Sequence, residues 1–74
     1  GQAEAVEFLA DGTTLHCGEP LRSIRLRPNV LIAGIARGAQ TEIPNGSSCF
    51  YSGDTLIVVT GRETVLRGLN DIFN

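Results

Sequence analysis

The sequence lacks several residue types on which whole classes of functional site depend. Its 74 residues include no lysine, methionine or tryptophan, and only two cysteines and one histidine. Without lysine there is no phosphate-binding P-loop, because that motif requires a lysine after its glycines. Two cysteines cannot form a disulfide framework, and with the one histidine they supply three ligands where a structural zinc ion takes four.

Long apolar runs and basic charge are also scarce. No apolar stretch approaches the roughly 20 residues that cross a bilayer. Glu4 and Glu7 stand where a secretory signal peptide would carry basic residues. Six arginines face eight carboxylates, which gives a net charge of −2. We therefore expect no membrane insertion and no binding of nucleic acid through bulk charge.

The composition itself is that of a folded domain, with 42% hydrophobic and 19% charged residues. A chain this small buries too little surface to be comfortably stable alone, so partner subunits or a larger parent protein are expected. The sequence begins at Gly1 without an initiator methionine. We expect it to be a fragment of a longer protein, with one domain over residues 3–73.

The first half of the chain predicts two strands and a short helix. Residues 3–10 alternate in a way that suits a strand; their Ala and Glu content also suits a helix, but only eight residues precede the Asp-Gly turn signal. After a connector at 13–17, Pro20 opens a short helix and Pro28 ends it. Residues 30–37 form the strongest strand and are apolar on both alternating faces. Such a strand is usually covered on both sides, and one cover could be another subunit.

Strict alternation within this strand predicts which side chains share a face. One face would carry Val30, Ile32, Gly34 and Ala36, and the other would carry Leu31, Ala33, Ile35 and Arg37.

The second half predicts three further strands and a helix. The strands span 41–44, 47–51 and 55–60, with Asn45-Gly46 as a tight hairpin turn between the first two. The last element is expected to be an amphipathic helix that Thr60 and Glu63 cap. Its apolar stripe consists of Val65, Leu69, Ile72 and Phe73. The fold class is therefore α+β, a small antiparallel-rich sheet with a short helix and a C-terminal amphipathic helix.

Three groups of residues suggest chemistry. His16 and Cys17 are adjacent, but neighbours on an extended chain point to opposite sides, which favours a loop histidine and a buried cysteine over a catalytic dyad. Arg37 ends the most apolar strand and could bind a phosphate; the alternative is an ordinary ion pair. A cluster of three arginines is either a solvated face or a contact for an acidic partner: Arg22, Arg25 and Arg27.

Four segments in order resemble one family. They read AEAVEF, GEPLRSIRLRPNVLIAGIARG, EIP and SGDTLIVVTG. Together they resemble the TrkA-C domain, the second domain of proteins that regulate potassium conductance. The resemblance extends over residues 3–73 and implies a cytoplasmic, non-enzymatic regulatory domain that dimerises.

The resemblance also implies partners and ligands. The parent protein would assemble as a ring on a membrane potassium transporter, at the inner face of the cell membrane. An N-terminal domain absent here would bind NAD or another adenine nucleotide. This domain would have no cofactor of its own, but some relatives bind cyclic di-AMP between two copies. The matching positions here are Ile35, Arg37, Ile43 and Pro44, where apolar side chains would pack on adenine and the arginine would pair with phosphate.

Two other functions stay open at this point. The same fold could serve as a structural dimerisation module without ligand, or belong to another cation transporter or antiporter. A small hydrolase or redox domain using His16 and Cys17 is the remaining class. The sequence specifies no metal.

Overall fold

An antiparallel sheet of four strands, in the spatial order β1-β4-β2-β3, organises residues 3–74, which the computed structural model describes. The strands are β1 (Ala3–Leu9), β2 (Val30–Arg37), β3 (Gln40–Glu42) and β4 (Thr55–Gly61). The helical elements are two short 3₁₀ turns, Leu21–Ser23 and Leu69–Ile72. Within the described part of the chain no helix is long and apolar enough to cross a bilayer.

The central strand β4 explains why one side of the sheet holds the core. Its side chains alternate, so that Leu56, Val58 and Thr60 are buried while the residues between them are half-buried. On the same side lie the neighbouring residues of β1 and β2, since cross-strand partners share a face. The core also takes residues from the loops and from the second 3₁₀ turn, which cover this face: Ala10, Ile24, Phe50, Leu69 and Ile72.

A bulge in β2 changes the face on which its side chains lie. Ile32 pairs with Val58 and Ile35 with Leu56, so Ala33 has no partner of its own on β4. Ile32 and Ile35 therefore both face the core, and the prediction that they lie on opposite faces is wrong. An extra residue in one strand reverses the alternation beyond it, which periodicity alone does not reveal.

Gly34 follows the bulge and lies close to β4. A Cβ atom there would be 3.0 Å from Cδ1 of Ile57, so the glycine leaves room for this isoleucine to pack across β2. The opposite face of the sheet has no cover from the described residues. Leu9 and Leu31 lie on it with 66% and 60% of their surface exposed, Leu9 opposite Thr55 and Leu31 opposite the half-buried Val59.

The strand predicted at 47–51 is not formed. The Asn45 side chain accepts a hydrogen bond from the Ser47 N–H at 2.8 Å, and the Ser48 N–H donates to the Asn45 carbonyl at 3.0 Å. These local bonds compete with strand pairing. The predicted hairpin turn at Asn45-Gly46 is also wrong: neither residue has a positive φ, and the turn that forms runs from Asn45 to Ser48, with Gly46 and Ser47 at its centre. β3 ends at Glu42, so the predicted strand 41–44 is shorter and begins one residue earlier.

The C-terminal amphipathic helix is also wrong. Thr60 is not a helix cap, because β4 continues through Gly61 and Thr60 is buried in the sheet. Gly68 is extended, with φ −157° and ψ 171°, and the Asp71 carboxylate accepts hydrogen bonds from the Arg67 and Gly68 N–H groups. The segment thus forms one 3₁₀ turn, and Val65 stays 69% exposed.

The other predicted elements agree more closely. Residues 3–10 form a strand that ends at Leu9, and β2 and β4 occupy the predicted ranges to within one residue. The predicted short helix is reduced to the 3₁₀ turn Leu21–Ser23, beyond which Ile24 is extended. The small antiparallel sheet is confirmed, but its helical partners are single turns.

Candidate functional site

Arg37, the last residue of β2, is held against the buried carboxylate of Asp54. Arg37 donates from Nε to Oδ1 at 2.9 Å and from Nη2 to Oδ2 at 2.6 Å. Asp54 directly precedes β4 and is only 3% exposed; it also accepts from the Tyr51 N–H at 2.9 Å. Hydrogen bonds from Arg37, followed by the one from Tyr51, lower the pKa of Asp54 despite its burial. The same pairing raises the pKa of Arg37.

The far edge of the Arg37 guanidinium is open to solvent. Its side chain is 53% exposed, and Cζ lies 5.2 Å from the centre of the Tyr51 ring. Nη2 also approaches the Cys49 carbonyl at 3.5 Å. Nη1 has no partner among residues 3–74, so the group can hold Asp54 and still donate to an anion.

The structure disperses the four residues predicted to bind ligand. Ile35 is 1% exposed in the core, whereas Ile43 is 88% exposed just beyond β3. Pro44 is half-buried and lines a pocket. Arg37 lies at the end of β2 in its ion pair. A ligand could touch Arg37, Ile43 and Pro44 directly but could reach Ile35 only by displacing core packing. The binding role of all four stays a prediction.

The pocket beside Pro44 is the feature that the sequence did not reveal. Its volume is about 300 Å³, and its lining is mainly apolar: Leu21, Ile24, Leu26, Leu31, Ile32 and Pro44. Arg22, Asn45 and Gly46 complete the wall. The pocket lies between β2, the first 3₁₀ turn and the loop after β3, and the turn and this loop are about twenty residues apart in sequence.

Two backbone hydrogen bonds fix the walls of this pocket. The Leu21 N–H donates to the Ser48 carbonyl at 2.9 Å, and the Arg22 N–H donates to the Gly46 carbonyl at 3.0 Å. The two segments come so close that a Cβ atom on Gly46 would lie 3.2 Å from Cβ of Arg22. The pocket is therefore part of the folded structure and does not depend on side-chain rotamers alone.

The three clustered arginines have separate surroundings. Arg22 donates from Nη1 to Ser47 Oγ at 3.3 Å. Arg27 donates to the carbonyls of Val65 and Asp71 at 3.5 and 3.2 Å, which ties the C-terminal segment to the strand bridge between Leu26 and Phe73. None of the three forms a salt bridge with a described carboxylate. Their contact with an acidic partner stays a prediction.

His16 and Cys17 are placed as a loop pair. His16 Nδ1 lies 3.0 Å from Glu19 Oε2, and its ring meets Phe73 edge-on at a centroid distance of 4.8 Å. Burial, followed by the nearby Asp54 and Asp11 charges, raises the pKa of the Cys17 thiol, which opposes its use as a nucleophile. Residues 3–74 contain no group of three His, Cys, Asp or Glu residues placed to hold a metal.

Comparison with known proteins shows the family to which the chain belongs. The family model of the TrkA-C domain matches residues 7–73. The chain is 35% identical over 57 residues to the K(+)/H(+) antiporter NhaP2 of Shewanella oneidensis. This match covers 77% of the chain but 10% of the antiporter, which is therefore a much longer protein. Because the family model covers nearly the whole sequence, the chain belongs to the TrkA-C domain family.

Proposed function

We propose that this chain is the cytoplasmic regulatory domain of a membrane cation transporter, and that it acts by binding and conformational change instead of catalysis. The observation that carries the proposal is the TrkA-C match over residues 7–73. The similarity to a K(+)/H(+) antiporter supports a potassium transporter or an antiporter as the parent protein. An N-terminal domain that binds NAD or another adenine nucleotide would belong to the parent and not to this chain.

In this proposal the domain works as a dimer within a larger ring. Large apolar side chains at its surface support a covered state: Leu9, Leu31 and Ile43 are each more than half exposed. A ligand that favours one arrangement of the two copies would shift the population of the ring and so bias the transporter. Such regulation requires only that the ligand bind one arrangement of the two copies more tightly than the other.

The proposed ligand is a small anionic nucleotide, with cyclic di-AMP as the specific candidate. It would lie between two copies, near Arg37, Ile43 and Pro44, with Ile35 beneath them. The open Nη1 of Arg37 supports contact with a phosphate, and the exposed Ile43 supports contact with a base. A twofold ligand suits a twofold interface, because each half meets the same residues.

Calorimetric titration of cyclic di-AMP into the chain tests this proposal, with light scattering on the same sample to give its oligomeric state. Saturable binding of one ligand per two chains is the expected result. AMP serves as the matched control, since it carries the same base and a phosphate but no twofold symmetry. Absence of heat from a folded dimer would contradict the nucleotide role and leave dimerisation intact.

The second candidate function is a structural dimerisation module without ligand. The pairing of Arg37 with Asp54 favours it, because a guanidinium already held by two hydrogen bonds has an ordinary structural role. The same titration separates the two candidates: the structural module predicts a dimer whose melting temperature does not change with cyclic di-AMP.

A further inference from the structure

Half of strand β2 has no strand beside its outer edge. β3 pairs with β2 only at Ile35, Ala36 and Arg37, whereas β4 pairs along the other edge from Val30 to Ala36. In the described structure no strand therefore continues the sheet next to residues 30–34. A strand edge presents peptide N–H and C=O groups that can pair with another extended chain.

The apolar pocket adjoins this open half-edge. Ile32 faces the core side of the sheet and lines the pocket, together with Pro44 from the loop on the far side. In an added strand, the residue opposite Ile32 would point to the same face, because cross-strand partners share a face. Its side chain would enter the pocket of about 300 Å³, which accepts one apolar group of ordinary size.

Arg22 adds charge selectivity at the wall of the same pocket. Its guanidinium donates to Ser47 Oγ and pairs with no carboxylate in the described part of the chain. Residues two apart on a strand lie on one face, so a carboxylate two positions from the apolar side chain would point to the same face of the sheet as the pocket, whose wall includes Arg22. The pocket wall is therefore complementary to an acidic group and not to a basic one.

We propose that the open half-edge of β2 and its pocket bind an extended peptide segment that carries an apolar side chain and, two residues away, a carboxylate. The segment adds a strand beside residues 30–34, places the apolar side chain against Ile32 and Pro44, and pairs its carboxylate with Arg22. This role differs from the nucleotide binding proposed near Arg37, Ile43 and Pro44, and the two sites share only Pro44.

Synthetic peptides test the proposal on the chain as it stands. The probe is acetyl-VTLTEV-amide, titrated into isotope-labelled protein while backbone amide shifts are followed by NMR. Three matched peptides remove one feature each: glutamate becomes glutamine, leucine becomes alanine, or the two threonine nitrogens are methylated. We expect shifts clustered at residues 21–22, 30–34 and 44–46, and about tenfold weaker binding for the methylated and the alanine peptides.

An Arg22→Gln variant completes a double-mutant cycle with the glutamine peptide, and Arg25→Gln serves as the control arginine outside the pocket. The cycle should show that loss of Arg22 removes the preference for glutamate, whereas loss of Arg25 preserves it. Binding that is absent at millimolar peptide would overturn the proposal. Shifts at β1, the other edge of the sheet, or binding that tolerates N-methylation would overturn it equally. Concentration-dependent pairing of the protein with itself at this edge would identify a second copy as the occupant and also contradict it.

Discussion

Arg37 at the end of β2 and Asp54, which directly precedes β4, form a bidentate ion pair at one end of the sheet, with N–O distances of 2.9 and 2.6 Å. The carboxylate is buried, and the guanidinium lies partly in solvent over Tyr51. The pair thus joins a structural contact on one side to an exposed cationic edge on the other. Arg37 is therefore both the strongest candidate for anion binding and a residue that stabilises the fold.

Removal of the Asp54 charge should destabilise the domain. Asp54→Asn loses charge-assisted bonds from Arg37 in a buried setting, and we expect the free energy of unfolding to fall by about 1–3 kcal/mol. Urea unfolding followed by circular dichroism measures this. Glu63→Gln is the control, because Glu63 is exposed in the turn after β4 and does not cap a helix. It therefore removes one carboxylate charge without removing a buried ion pair. Equal stability of Asp54→Asn and the parent chain would show that the pair contributes nothing net.

The pH dependence of stability should carry the same signature. The pKa of Asp54 is lower in the folded state than in the unfolded chain. Its contribution to stability is therefore present above the unfolded pKa of about 3.9 and is lost as pH falls through the folded value. Thermal melting between about pH 6 and 2 measures the trend. The melting temperature of Asp54→Asn should fall less steeply with decreasing pH than that of the parent chain. Part of the pH dependence should remain, because the pKa values of Asp11 and Asp71 are also lowered.

Arg37 should be needed for nucleotide binding if the proposed function holds. Arg37→Ala removes a charged donor from the phosphate, and we expect affinity for cyclic di-AMP to fall about tenfold to a hundredfold. Calorimetry on folded protein well below its melting temperature measures the loss. Asp54→Asn separates the two roles, because it weakens the fold yet keeps the Arg37 guanidinium available to the phosphate. Unchanged affinity in Arg37→Ala would exclude this arginine from the site.

Ile43 should matter for assembly and not for folding. It is 88% exposed in one chain, so Ile43→Asp should change the free energy of unfolding of the monomer by no more than about 0.5 kcal/mol. A dimer that covers this side chain would dissociate at higher protein concentration in the variant. Analytical ultracentrifugation gives the dissociation constant. Val65→Asp, at a second exposed apolar position, is the matched control; a dimer equally tolerant of both substitutions would place the interface elsewhere.

Local patterns in the sequence were sufficient to predict β1, β2 and β4. β2 and β4 are runs of β-branched and apolar residues between turn signals, and this pattern is typical of buried strands. Repeated burial on one face of β4 follows directly from its alternation. The sequence also allowed the ion-pair alternative for Arg37 to be predicted, since an arginine at a strand end commonly pairs with a carboxylate. It did not show that the partner is Asp54.

Where a short-range pattern had two outcomes, tertiary contacts decided between them. The C-terminal stripe suits a helix in isolation, yet Gly68 is extended and Asp71 caps a single turn, which lets Leu69 and Ile72 enter the core. Residues 47–51 suit a strand, yet their backbone groups bind Gly18 and Leu21 instead. Propensity is a weak influence over so few residues, and burial of apolar area outweighs it.

The sequence by itself determined the family, the positions of the main strands and the scarcity of catalytic or metal-binding side chains, because these depend on residue identity and short-range order. Only the tertiary structure decided which face Ile35 occupies, which carboxylate holds Arg37 and where a pocket opens. A one-residue bulge at Ala33 reverses the faces of β2 beyond it, and the pocket joins residues as far apart in the chain as Leu21 and Gly46. Such features arise from register and long-range packing, which no local pattern specifies.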